Sequence, residues 1–141
     1  MHSNKLFLDG TEVRKCPKKK QLYCSRDGKF YRLKNAGLIA VTPSVVSNYN
    51  RKTCHTRYPI VTRTAPCNIH VLMALTWIGP RPQGYEIDHL NGDILNWSAD
   101  NLQYVTPEEN RRRAVILREL RANGTDPAQL SREQLISLFN A

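Results

Sequence analysis

Between residues 87 and 110 the chain gathers polar side chains of types that can do chemistry: Asp88-His89, Asn91-Gly92, Asn96, Asn101 and then Asn110. Asp88 offers a hard anionic oxygen and Asn110 a neutral carbonyl oxygen. Mg²⁺ and Mn²⁺ suit such a set, because they keep several waters and add phosphate oxygens from a substrate. His89, with an ordinary pKa near ~6.5, is substantially neutral at physiological pH and can take a proton from water. One metal to stabilise charge building on phosphorus and one histidine to activate water suffice for phosphodiester hydrolysis.

For these groups to converge, the elements around them must take a particular order. Tyr85-Glu-Ile-Asp88 reads as a short strand, Asn91-Gly92 as a turn, and Leu102-Gln103-Tyr104-Val105 as a second strand. Thr106-Pro107-Glu108-Glu109 announces a helix: Thr106 caps it, Pro107 fits its first position and Glu109 completes a capping box. That helix runs to about Ala122, where Asn123-Gly124 ends it. If the two strands form an antiparallel ribbon with the helix across it, Asp88, His89, Asn101 and Asn110 meet. A last short helix follows Ser131, with Leu130, Leu135, Leu138 and Phe139 as its apolar face.

Upstream, residues 68–78 form an apolar helix, with Asn68 as a plausible cap and Gly79-Pro80 as its stop. Asp27-Gly28 between Leu22-Tyr23-Cys24 and Phe30-Tyr31-Arg32-Leu33 signals a hairpin. Leu38–Val41 and Tyr58–Val61 are further strand candidates, separated by a polar, basic loop over 42–57. The opening 20 residues read as a basic arm. The order of elements is α+β: a small N-terminal antiparallel sheet and a core helix, then the strand–loop–strand–helix unit, then C-terminal helices.

The 141 residues carry a net charge of +9, which makes polyanions natural partners. The charge is uneven. Residues 1–34 hold ten Lys/Arg against three acids, and 35–65 hold four with no acid. Residues 66–105 reverse sign, with Arg81 alone against Glu86, Asp88, Asp93 and Asp100. A cation-coordinating centre framed by phosphate-contacting surface has this pattern. Candidate contacts are Lys18-Lys19-Lys20, Arg51-Lys52 and the helix residues Arg111, Arg112, Arg113 and Arg118, although charge runs are also ordinary solvated faces. No apolar run approaches the ~18 residues of a membrane span and no signal peptide opens the chain, so a cytoplasmic location is expected. Cys16, Cys24, Cys54 and Cys67 contain no C-x-x-C pair, so they read as reduced thiols rather than ligands of a structural zinc.

The stretch resembles the ββα-metal nucleases of the HNH superfamily, in particular the small phage and bacterial homing-type HNH endonucleases. The likeness rests on Asp88-His89, Asn91-Gly92, Asn96, Asn101-Leu102, Tyr104-Val105-Thr106 and Asn110, with His70-Val71-Leu72 and Trp77 in the preceding helix. It spans about residues 69–111, with a looser likeness back to about residue 22. The sequence departs from the family pattern at Asn91, where Asp is common, at Trp97, where a second Asn is frequent, and at Val71, which replaces a common Arg.

The resemblance implies a metal-dependent DNA endonuclease, cutting one strand or both and leaving 5′-phosphate and 3′-hydroxyl ends. It assigns Asp88 and Asn110 as metal ligands and His89 as general base, with Asn101 holding the loop and orienting that base. Asn96, Asn91 and His70 are then supporting residues; Asn96 also fits an ordinary turn residue and His70 a hydrogen-bonded core residue. The implied organisation is a basic arm over 1–20, a small β-rich DNA-contacting module over 21–66, the HNH unit over 67–122 and a short helix within 123–141. The competing reading is a non-catalytic DNA-binding module with a relic of the motif, zinc-stabilised through the cysteines. The intact set of Asp88, His89, Asn101 and Asn110 argues against it. Charge alone does not separate DNA from RNA.

Overall fold

A computed structural model describes residues 4–45, 59–60 and 68–141. Five strands, β1 (Lys5–Leu8), β2 (Thr11–Lys15), β3 (Leu22–Ser25), β4 (Phe30–Lys34) and β5 (Gly37–Val41), form an antiparallel meander in chain order. The hairpin at Asp27-Gly28 forms as the turn chemistry requires, pairing Cys24 with Phe30. The expected arm over residues 1–20 does not: residues 5–8 and 11–15 are strands of the sheet. Asp9 (φ +49°) and Gly10 (φ +82°) supply the positive-φ pair of a tight hairpin turn. Val13 is fully buried, so the apolar residues between the lysines anchor the segment. The lysine triplet Lys18-Lys19-Lys20 lies in the turn between β2 and β3.

Two residues each of β6 (Ser44–Val45) and β7 (Pro59–Ile60) pair antiparallel. Arg51, Lys52, Cys54 and Cys67 lie outside the described residues. Helix α1 (Ile69–Trp77) follows, with Asn68 at its cap position but making no side-chain cap. Strands β8 (Glu86–His89) and β9 (Leu102–Val105) form the expected ribbon, and α2 (Pro107–Ala122) ends at Asn123-Gly124 as predicted. Thr106 Oγ1 accepts from the Glu109 amide at 3.1 Å, so half of the capping box is present. The Glu109 carboxylate turns instead to Arg113, 3.7 Å away. The complete capping box belongs to Ser131 and Gln134, which open α3 (Arg132–Phe139).

The core has two parts. The larger joins one face of the sheet to α1 and β9 through Leu22, Phe30, Ile69, Leu72, Met73 and Leu102. Cys16 and Cys24 are buried in it as free thiols, their sulfurs 3.7 Å apart. The smaller joins α2 to α3 through Leu90, Leu117, Leu135 and Phe139. Leu138, expected on the apolar face of α3, is 39% exposed. No helix among the described residues is long and apolar enough to cross a membrane.

Candidate active site

Antiparallel pairing of β8 with β9 sets Asp88 opposite Gln103 and His89 opposite Leu102. Successive strand residues point to opposite faces. Asp88 lies against α2, where Arg113 Nη1 approaches its Oδ2 to 3.9 Å, while the His89 ring sits 5.3 Å from that of His70 in α1. Asp88, His89 and Asn110 line one open cavity of about 280 Å³, walled by Ile87, Gly92, Ile94, Ala114, Leu117 and Arg121. The structure therefore brings the residues expected to hold a metal together with the expected base.

The hydrogen bonds around the two oxygen donors are asymmetric. Asp88 Oδ2 accepts from Gln103 Nε2 at 3.3 Å and faces Arg113. Asn110 donates through Nδ2 to Glu86 Oε2 at 2.7 Å. Among the described residues, Asp88 Oδ1 and Asn110 Oδ1 accept no hydrogen bond. Burial pushes the Asp88 carboxyl above its ordinary value, while the Gln103 bond and then the Arg113 charge oppose the shift. Burial pulls His89 down to about 4, with only Asp93 opposing; His70 falls to about 4 by burial and by its proximity to His89 and Arg81. Both imidazoles are neutral at pH 7.

Asn101 does not reach the cavity wall. Its Nδ2 donates to Asn91 Oδ1 (3.0 Å) and to the Asn96 carbonyl (2.9 Å), and its Oδ1 accepts from the Asn91 amide (3.2 Å). Its side chain thus cross-braces the loop between Asn91 and Asn96 that follows His89. Asn91 Oδ1 also accepts from the Asp93 amide, and Asn96 Oδ1 from the Ser98 amide. Trp97, where the sequence departs from the family pattern, has a structural task. Its Nε1 donates to the Gly28 carbonyl at 2.8 Å, and a Cβ on Gly28 would come within 2.5 Å of the indole. Arg26 pairs with Asp100 at 2.9 Å beside it. The β3–β4 turn is thereby locked to the loop that carries the site.

The basic residues separate. Arg111, Arg112 and Arg118 are exposed on α2, as are Lys18 and Lys20 in their turn, while Lys19 is half-buried. Arg113, expected at the surface as a phosphate contact, is buried between Asp88, Glu109 and the Phe139 ring. It falls on the same helix face as Asn110 and Leu117, three and four residues away, and that face packs inward. The sequence alone did not mark Glu86 and Gln103. Both are readable once the ribbon is placed: Glu86 shares a face with Asp88, and Gln103 is its cross-strand partner. Arg121, in helical register with Asn110, donates through Nη2 to the Asn91 carbonyl at 3.4 Å from the far end of α2.

The profile of the HNH endonuclease family matches residues 67–112, the stretch that builds this ribbon, loop and helix. Protein 3.8 of Escherichia phage T7 is 53% identical over 32 residues, 23% of this chain and 26% of that protein. Among solved structures, the HNH homing endonuclease I-HmuI, in a structure titled for DNA binding and cleavage, aligns over 74% of this chain and 54% of that one. Its identity is 17% and its TM-score 0.46. The chain thus matches about a quarter of the length of the phage protein and about half of the homing endonuclease.

Proposed function

We propose that the protein is a metal-dependent HNH endonuclease that hydrolyses DNA phosphodiester bonds, with His89 as general base. The observation that carries this reading is that Asp88, His89 and Asn110 line one open cavity inside the family-matched unit. The donor chemistry fits a divalent cation. No three His, Cys, Asp or Glu side chains gather into a metal cage among the described residues, and a hard cation that keeps waters and takes substrate oxygens needs only one or two protein ligands. Asp88 and Asn110 would hold it through the oxygens left without hydrogen bonds. When bound, Mg²⁺ or Mn²⁺ supplies Lewis-acid stabilisation of charge on the phosphoryl oxygens.

The residues of the chain do the rest. His89 is neutral because it is buried, so a ring nitrogen can accept the proton of an attacking water at pH 7. The Asn101 brace fixes the loop after His89, and Gln103 and Arg113 hold Asp88 from its other oxygen. Exposed Arg111, Arg112 and Arg118 supply sequence-independent phosphate contacts close to the site. That the T7 relative is a phage protein fits action in a bacterial cell infected by phage. The test is supercoiled plasmid incubated with protein in Mg²⁺, Mn²⁺ or EDTA. Nicked or linear product in metal and intact plasmid in EDTA is expected; equal cleavage in EDTA overturns metal dependence.

A further inference from the structure

We propose that Glu86 is a positioning residue: it anchors the NH₂ end of the Asn110 side chain so that the carbonyl end serves the cavity. This rests on the metal-centre reading given above. An asparagine amide is two-faced, with a donor nitrogen and an acceptor oxygen of nearly the same shape. Only the oxygen can meet a cation; the opposite rotamer presents N–H groups that repel it.

Three observations point to Glu86 as the group that decides. Glu86 lies two residues before Asp88 on β8, so both side chains leave the strand on the same side. Asn110 stands on α2, and its Nδ2 donates to Glu86 Oε2 at 2.7 Å, a charge-assisted bond. Asn110 Oδ1 meanwhile accepts no hydrogen bond among the described residues, while Asn110 lines the cavity with Asp88. A carboxylate can only accept, so it selects the nitrogen end of the amide without ambiguity. Glu86 also adds a second negative charge beside that of Asp88. Orientation and charge are therefore two separable contributions, and the orientation is the one assigned here.

The two are separated by substitution. Gln at position 86 keeps an acceptor oxygen for Asn110 Nδ2 and loses the charge, whereas Ala loses both. Binding of Mn²⁺ to the full chain is read from the loss of the free-ion electron paramagnetic resonance signal, with Asp88→Ala as control. Glu86 is exposed, so the expected loss is at the low end for outer residues of a metal site: about tenfold in affinity for Glu86→Ala, and within about threefold of wild type for Glu86→Gln. In an Asn110→Ala background, Glu86→Ala should cause no more than about a twofold further loss, because its target is gone. Wild-type affinity in Glu86→Ala overturns the proposal, as does Glu86→Gln binding as weakly as Glu86→Ala. A full tenfold loss in the Asn110→Ala background also overturns it, leaving charge as the cause. Wild-type protein that takes up no Mn²⁺ overturns the metal-centre reading itself, and this one with it.

Discussion

His70 and His89 pack ring to ring, 5.3 Å between centroids, and burial holds each neutral down to about pH 4. In the unfolded chain a histidine titrates near ~6.5. Between those two values the unfolded chain binds more protons than the folded one, so acid favours unfolding. The stability the neutral pair contributes is present in full above the unfolded value. It is lost as pH falls toward about 4, below which no further loss comes from these rings. Asp88 acts in the opposite sense, because burial raises its pKa. The urea midpoint, measured in EDTA, is therefore expected to fall between pH 7 and pH 4.5. The fall should be smaller in His70→Leu, which removes one of the two buried rings. A midpoint that falls equally in both proteins contradicts the assignment to this pair.

Helix α2 carries the site on one end and the second core on the other, and α3 closes that core. Phe139 is 1% exposed, packs with Leu90, Leu117 and Leu135, and lies 5.1 Å from the Arg113 guanidinium. Phe139→Ala should cost about 3–5 kcal/mol, read by urea denaturation, and should lower cleavage as Arg113 loses its packing behind Asp88. Loss of stability below 1 kcal/mol would show that α3 is an accessory. The elements themselves were legible where local chemistry is strong. Thr106-Pro107 and Ser131 with Gln134 mark two helix starts, Asn91-Gly92 and Asp27-Gly28 mark turns, and the paired polar residues from Asp88 to Asn110 mark the site. Legibility failed where a signal depends on partners distant in sequence. Lysines at 5 and 15 and the triplet at 18–20 disguise two strands whose apolar residues are anchored by β3. Three successive arginines at 111–113 look alike in sequence, yet only Arg113 falls on the face that packs against β8. Trp97 reads as a departure from a pattern until the Gly28 carbonyl is found beneath it.

Across the whole molecule, the net charge of +9 resolves into parts with different tasks. Of the four acids in the stretch 66–105, Asp100 pairs with Arg26 of the sheet, Asp93 Oδ1 accepts the Leu95 amide within the loop, and Glu86 accepts from Asn110. Asp88 is the buried acid of the four. Arg111, Arg112 and Arg118 of α2 and the lysines of the β2–β3 turn do not line the cavity, so the proposed grip and the proposed chemistry fall to different side chains. Loss of the base should therefore leave DNA binding intact. Wild-type protein and His89→Ala are compared for cleavage of supercoiled plasmid in Mg²⁺, with DNA binding followed by gel shift in the same buffer. If His89 is the general base, His89→Ala cleaves about 10²–10⁴-fold more slowly with binding retained. Cleavage by His89→Ala at the wild-type rate would contradict that assignment.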